Sequence, residues 1–336
     1  MFEKYLITGA TGFLGRAVLA QLRDTKAEIR ALVMEGDPLA RELSQNVRVI
    51  TGDVCDEAAL GRFFAGADEH TCVIHCAGMI SVATHPGDRI YRVNVDGTRN
   101  ILKFCRKCGV GKLVHVSSVH AIPEKPKGTE IAETTTFSPE LVRGDYAKSK
   151  AMATALVLQA AKEGLNASVV FPSGIIGPGD LGKGSITNML LSFLAGKLPL
   201  AVKGGYDFVD VRDVASGVIA CAEHGLPGQG YILSGHYATI RDILELVKKT
   251  VNLRRNVSYL PISFAKLVAP LYEKISLCRE GALYFTPYSI AVLDSNGAFS
   301  RSAALTALGY TPRPLSSTIR DTVVWLKEKM GGKSQA

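Results

Sequence analysis

The chain has 336 residues, 47% hydrophobic and 21% charged, with 33 Gly and 14 Pro, and 39 Lys or Arg against 31 Asp or Glu leave a formal net charge of +8. Such a composition excludes a disordered chain, a collagen-like repeat and a coiled coil, and at roughly 150 residues per domain it predicts about two domains. The basic surplus suits nucleic acid, an anionic membrane surface or an anionic small molecule equally, so it selects none of them.

The predicted elements alternate. Lys4–Thr8 is a short β-type run that enters a glycine turn, and Phe13–Leu22 follows with helical spacing of apolar residues. Further strands are predicted at Glu28–Val33, Val47–Thr51, Cys72–Cys76, Lys112–Ser117 and Ala167–Phe171. Helical patterns separate them at Asp56–Phe64, Arg89–Cys108 and Tyr146–Glu163. The strands are nearly continuous apolar runs, as a parallel sheet covered on both faces requires. The fold class is therefore α/β: a Rossmann-type doubly wound parallel sheet with a smaller, helix-rich C-terminal substrate domain.

After Pro172 the rhythm breaks. A Gly/Pro-rich stretch at 173–180 leads to an apolar segment at Ile186–Leu194. Asp207–Val211, the helical Asp213–His224 and the strand Gly230–Leu233 then read as a return to the first domain. The expected division is a discontinuous dinucleotide-binding domain, 1–172 and 207–235, with a substrate-binding domain formed by 173–206 and 236–330. Residues 331–336 read as a loose tail.

Gly9-Ala10-Thr11-Gly12-Phe13-Leu14-Gly15 places three glycines between a strand and a helix. Gly9 permits the tight turn, Gly12 lets backbone amides approach a pyrophosphate, and Gly15 permits close helix–strand packing. The exposed amides at the helix start attract phosphate. The choice between NAD and NADP turns on the end of the second strand, which reads Leu32-Val33-Met34-Glu35. Arg16 and Arg30 suit a 2′-phosphate and Glu35 suits a ribose hydroxyl; with no acid at the strand end, the balance falls toward NADP.

Tyr146 and Lys150 stand four residues apart at the start of a predicted helix and so share one face. A phenol near pKa 10 is a poor base at neutral pH, and a neighbouring ammonium favours its ionised form. Ser117-Ser118 ends the fifth strand, where open α/β sheets bind ligands.

Together these segments resemble the extended short-chain dehydrogenase/reductase family, also described as NAD-dependent epimerase/dehydratase-like. The resemblance runs through Thr8–Gly15, Asp53-Val54, His75–Gly78, Asn94–Thr98, Ser117-Ser118, Tyr146–Lys150, Pro172–Pro178, Phe208–Ala215 and Leu308–Pro312. The nearest branch is that of dihydroflavonol reductases and 3β-hydroxysteroid dehydrogenases. The resemblance implies an NAD(P)-dependent oxidoreductase acting on CH–OH and C=O groups, with a homodimer formed through two helices.

By the same resemblance Ser118 polarises the substrate oxygen, Tyr146 transfers its proton, Lys150 holds the nicotinamide ribose, and Asn94 supports the hydrogen-bond network. Cofactor contacts fall to Gly9, Thr11, Gly12, Phe13, Leu14, Gly15, Asp53, Val54, Cys76, Ala77, Gly78, Tyr146, Lys150, Pro172 and Ile175. Met34 departs from an arginine common among NADP-using relatives, and Thr154 stands where an acid often follows the active-site helix start. The alternative reading is a nucleotide-sugar epimerase or dehydratase. Elimination needs an added acid–base pair, yet Ser118 is followed by Val119-His120-Ala121-Ile122 with no carboxylate. His120 itself reads as a solvated loop residue. A dinucleotide-sensing scaffold without catalysis ranks third.

The cysteines, seven in number, suit a reducing cytoplasm rather than a disulfide framework. Cys72, Cys76, Cys105 and Cys108 read as packing or surface thiols, and no metal site is expected. The N-terminus lacks the pattern of a signal peptide, and no apolar run is long enough for an integral membrane segment, so a cytoplasmic protein is expected. Nucleic acid is not expected as a partner, because the basic run at Lys248–Arg255 lacks interleaved aromatics. The segment 261–293, with Phe264, Leu267, Leu271, Tyr272, Leu283, Tyr284, Phe285 and Tyr288, is expected to serve mostly as core. Its apolar character favours a hydrophobic small-molecule substrate, and covering that pocket or touching a membrane surface are further roles open to it.

Overall fold

The computed structural model describes residues 2–83, 87–182, 184–278 and 286–331. The strands are β1 (Lys4–Thr8), β2 (Glu28–Val33), β3 (Val47–Thr51), β4 (Thr71–His75), β5 (Lys112–Val116) and β6 (Ala167–Pro172). After them come β7 (Gly174–Ile176), β8 (Leu200–Val202), β9 (Gly205–Asp210), β10 (Gly230–Leu233), β11 (His236–Thr239) and β12 (Ser258–Leu260). A seven-stranded sheet has the order β10-β6-β5-β4-β1-β2-β3, with every neighbouring pair parallel. This is the doubly wound arrangement that the alternating pattern predicts, with its switch point between β1 and β4.

Helices cover both faces. They are α1 (Phe13–Leu22), α2 (Glu57–Phe63), α3 (Arg89–Tyr91), α4 (Gly97–Cys108), α5 (Asp145–Lys162) and α6 (Ser185–Leu194). The rest are α7 (Val211–His224), α8 (Ile240–Val251), α9 (Ile262–Cys278), α10 (Pro287–Leu293), α11 (Ser302–Leu308) and α12 (Leu315–Gly331). The period-2 geometry of the strands divides the core in two. Leu6, Val73, Leu113 and Val169 pack with Ile101 and Val157 on one face, whereas Ile7, Ile74, Val114 and Val170 pack with Val18 and Val214 on the other. Because both faces are covered, the strands read as continuous apolar runs.

The segment Asp207–Val211, expected to return to the first domain, does not add a strand to the large sheet. β9 belongs to a separate three-stranded sheet, antiparallel to β11 and parallel to β7. Every residue of β9 is buried, Asp207 and Asp210 included, as in β4, β5 and β6, so burial does not specify which sheet it joins. The helix that follows does return, for α7 packs on α1. Asp210 caps α7 by accepting from Arg212 N at 2.8 Å, and Asp213 pairs with Arg313 at 2.8 Å, tying the chain before α12 to this helix.

The apolar segment after residue 261 also differs from expectation. Ala265 and Ala269 of α9 pack with Val202 and Ile290, but Phe264, Leu267 and Leu271 face outward, Leu267 at 76% exposure. Leu283, Tyr284, Phe285 and the tail 332–336 lie outside the described residues. No helix among the described residues is long and apolar enough to cross a membrane.

Two glycines make opposite demands on the fold. A Cβ on Gly15 would stand 2.1 Å from the Gly9 carbonyl oxygen, whereas a Cβ on the exposed, mid-helical Gly61 meets nothing within 4 Å. Chemical denaturation should therefore show Gly15→Ala destabilised by about 2 kcal/mol or more and Gly61→Ala stabilised by about 0.5–1 kcal/mol. Equal effects at the two positions would contradict the close packing of α1 on β1.

Candidate active site

The C-terminal ends of β1, β4, β5 and β6 share one edge of the sheet, and the expected site residues gather there. Gly9 has φ 67°, and its backbone lies so close to the loop after β4 that a Cβ would stand 2.7 Å from Ala77 N. Gly12 is exposed and caps α1 with no side-chain bond, and the first turn carries no acid. Unblocked amides and the positive end of the helix dipole are thus presented to an anion. One turn into α1, Arg16 Nη1 is buried with no hydrogen-bond partner among the described residues. The donor set fits the pyrophosphate of a dinucleotide.

Around this turn the remaining candidates fall into place unequally. Thr11 and Phe13 flank Gly12, half-buried, while the Leu14 side chain packs in the core and leaves only backbone to the site. Asp53 turns the chain after β3, its Oδ1 accepting from Cys55 N at 2.9 Å. Val54 packs so closely on Gly97 that a Cβ there would meet its Cγ2 at 2.6 Å. Cys76, Ala77 and Gly78 leave β4, and a Cβ on Gly78 would be 3.1 Å from Lys150 Nζ. Pro172 ends β6, and Ile175 in β7 leans on the core.

Two charged residues decide what the adenosine end would meet. Arg30 is 3% exposed and donates to Phe63 O at 2.6 Å, Ala65 O at 2.9 Å and Glu28 at 2.7 Å, so it is committed to the fold. Asp37, four residues beyond β2, accepts from Thr11 Oγ1 at 2.7 Å and from Leu39 N at 2.9 Å. It brings a carboxylate to the glycine turn, and the sequence reading missed it by looking only at the strand end.

Helix α5 carries Tyr146 and Lys150 on the face toward β5. Lys150 Nζ donates to Val116 O at 2.9 Å, and Thr154 Oγ1 meets Ser117 Oγ at 2.7 Å, so the helix is pinned along the strand end. Ser118 heads the one-turn 3-10 segment Val119–Ala121, its hydroxyl accepting from His120 N at 3.3 Å, and its side chain stands beside the Tyr146 hydroxyl. Asn94 lies in a π-helical turn, Arg92–Asp96, between α3 and α4, a distortion common at functional sites. Its amide accepts from Met79 N at 2.7 Å and donates to Met79 O at 3.0 Å and Ser149 Oγ at 2.9 Å. Asn94 thereby fixes the loop after Gly78 to helix α5.

The electrostatics differ from the sequence expectation. Burial pushes the Tyr146 phenol up to about 12, with only the Ser118 hydrogen bond opposing it. At neutral pH the tyrosine is therefore a proton donor, not a phenolate. Burial also lowers Lys150 to about 8. His120, expected in solvent, is enclosed by the rings of Tyr146, Tyr206 and Tyr288, and burial lowers it to about 4.

Beyond Tyr146 opens a chamber of about 290 Å³ lined by Ile80, Met189, Leu200, Val202, Phe208 and Leu293 among others. Its described lining contains no Lys, Arg, Asp or Glu. From α10 come Tyr288, Ser289, Val292 and Leu293; the outward residues of α9 take no part.

Lys150 is 5% exposed, and lowering it from 10.5 to about 8 corresponds to a folding penalty on the order of 3 kcal/mol. The unfolded chain binds more protons between these two values, so this penalty is fully present below pH 8 and is relieved as pH rises. Lys150→Met should stabilise the cofactor-free protein at pH 7 by roughly 1–2 kcal/mol, after the Val116 hydrogen bond is lost, with a gain that shrinks toward pH 10. Thermal melts across pH check this; a variant less stable than the parent at pH 7 would contradict it.

The model of the NAD dependent epimerase/dehydratase family matches residues 5–234, more than half of the chain. Sterol demethylase protein B of Methylococcus capsulatus is 28% identical over 326 residues, covering 96% of this chain and 98% of that protein. A putative dihydroflavonol 4-reductase of Synechocystis is 29% identical, covering 100% of this chain and 98% of that protein. The crystal structure of gox2253 superposes with a TM-score of 0.83 at 29% identity, covering 97% of this chain and 98% of that one. With its glycine turn at the switch point of a parallel sheet, the chain belongs to the NAD dependent epimerase/dehydratase family.

Proposed function

We propose that the protein is a nicotinamide-dependent oxidoreductase that interconverts a ketone and a secondary alcohol on an apolar small molecule. The observation that carries this reading is the chamber, uncharged among the described residues, that reaches Tyr146, with Ser118 beside that tyrosine. A nucleotide sugar would bring two phosphates to a space with no Lys or Arg among its described lining residues, which disfavours epimerisation. The names of the relatives, a sterol demethylase protein and a dihydroflavonol reductase, are in keeping with an apolar ring substrate.

In this reading residues 173–206 and 236–330 form the substrate-binding part and supply most of the chamber. The bound cofactor supplies or accepts the hydride. Gly9, Gly12 and the amides of the α1 start hold its pyrophosphate, with Asp53, Val54 and Cys76–Gly78 along its length and Lys150 at the nicotinamide ribose. Ser118 donates a hydrogen bond to the substrate oxygen, and Tyr146 delivers its proton to that oxygen as the carbonyl becomes a hydroxyl. Because burial keeps Tyr146 protonated, the cofactor-free site is poised for reduction. Tyr146→Phe should lower kcat by about 10²–10⁴-fold while NAD affinity, read by fluorescence titration, changes by less than about threefold. Near-normal turnover would remove Tyr146 from the chemistry.

NAD is the preferred cofactor in this proposal. Asp37 at Thr11 suits a ribose 2′-hydroxyl and repels a 2′-phosphate, and Arg30, internally bonded, offers nothing to such a phosphate. The absence of an acid at the end of β2 is thus made good four residues later. Asp37→Ser should shift the ratio of NADP to NAD dissociation constants toward NADP by about tenfold or more. An unchanged ratio would show that Asp37 does not select the cofactor.

A further inference from the structure

The chamber at Tyr146 is one of two cavities that meet at a single aromatic wall. The second, of about 560 Å³, has a mixed lining in which Glu124, Lys125, Arg143 and Asp294 stand among apolar side chains such as Ile131 and Phe299. The two share His120, Tyr206, Tyr288 and Val292. His120 occupies the centre of this group. Its ring stacks on Tyr206 at 5.5 Å with the planes 12° apart, and it lies 5.9 Å from Tyr288.

The polar atoms of the three side chains also meet. Tyr206 Oη is 3.3 Å from His120 Nε2, and Tyr288 Oη is 3.4 Å from His120 Nδ1. A neutral imidazole has one donor and one acceptor nitrogen, so it can bridge two phenols at once. Burial keeps His120 neutral at physiological pH. Each tyrosine arrives from a different element, Tyr206 from β9 and Tyr288 from α10, so the histidine bridges two parts of the chain. Tyr288 is seated over Gly144, where a Cβ would stand 2.6 Å from its ring, immediately before α5 and Tyr146.

We propose that His120 is a specificity-determining residue: with Tyr206 and Tyr288 it closes the apolar chamber beside Tyr146, on the side that faces the second cavity, and so sets the longest substrate the site accepts. The proposal rests on the reading that this chamber holds the substrate. A closed wall ends the gain from added methylenes once the chamber is filled, whereas an opened wall joins the two cavities and lets a longer chain pass through.

The test is calorimetric binding of a homologous series of straight-chain methyl ketones to the full-length protein. For the parent, affinity should rise by up to about fourfold per methylene and then stop rising at a definite length. In His120→Ala the break should move to chains several carbons longer, and Tyr288→Leu should move it in the same direction. His120→Gln, whose amide keeps one donor and one acceptor, should restore the parent break. The same break in the parent and in both wall-opening variants would overturn the proposal. Failure of the oxidoreductase reading would appear separately, as no cofactor oxidation with any ketone, and would leave the chain-length break readable in binding alone.

Discussion

The docking of helix α5 on the end of β5 is the constraint from which the site follows. Lys150 Nζ reaches Val116 O, and Thr154 meets Ser117, so the helix can neither slide nor rotate against the strand. That register puts Tyr146, one turn earlier, beside Ser118. It also places the ammonium against Gly78, where a Cβ would stand 3.1 Å from Nζ. Keeping a lysine in this buried position costs stability, and the cost is of the kind found where function and packing compete. The π-helical turn at Asn94 is a second concession, holding the Met79 backbone where a regular helix would not.

The same arrangement accounts for the direction of the electrostatics. A Tyr–Lys pair on one helix face suggests a phenol drawn toward ionisation, yet burial raises Tyr146 and lowers Lys150 together. Spacing along a helix reports which side chains are neighbours but not how much water surrounds them. Desolvation is a property of the assembled chamber, which is built from β8, β9, α6 and α10 as well as α5. The raised pKa of Tyr146 is therefore a consequence of tertiary structure.

The large sheet was legible because each of its strands is a short apolar run between turn residues, and β1, β2, β3 and β10 lie at their expected bounds. The glycine turn was legible because only glycine tolerates the approach of Ala77 to Gly9. What escaped detection depends on partners distant in sequence. β9 carries the same buried pattern as a main-sheet strand but pairs with β7 and β11. Asp37 lies past the end of β2 and gains meaning only from its bond to Thr11. His120 follows a strand in a short turn, and its burial comes from tyrosines 86 and 168 residues away. Phe264, Leu267 and Leu271 recur at helical spacing as a core face would, yet α9 turns its small alanines inward instead.

The central claim, hydride exchange with an apolar carbonyl at Tyr146 in the apolar chamber, is tested most directly by stoichiometry. Purified protein is supplied with reduced nicotinamide cofactor and either apolar cyclic ketones or nucleotide sugars, and cofactor oxidation is compared with product formed. The account predicts one alcohol formed per cofactor oxidised with ketones, and no conversion of nucleotide sugars. Interconversion of sugar stereoisomers with no net change in cofactor, and no reaction with ketones, would contradict it.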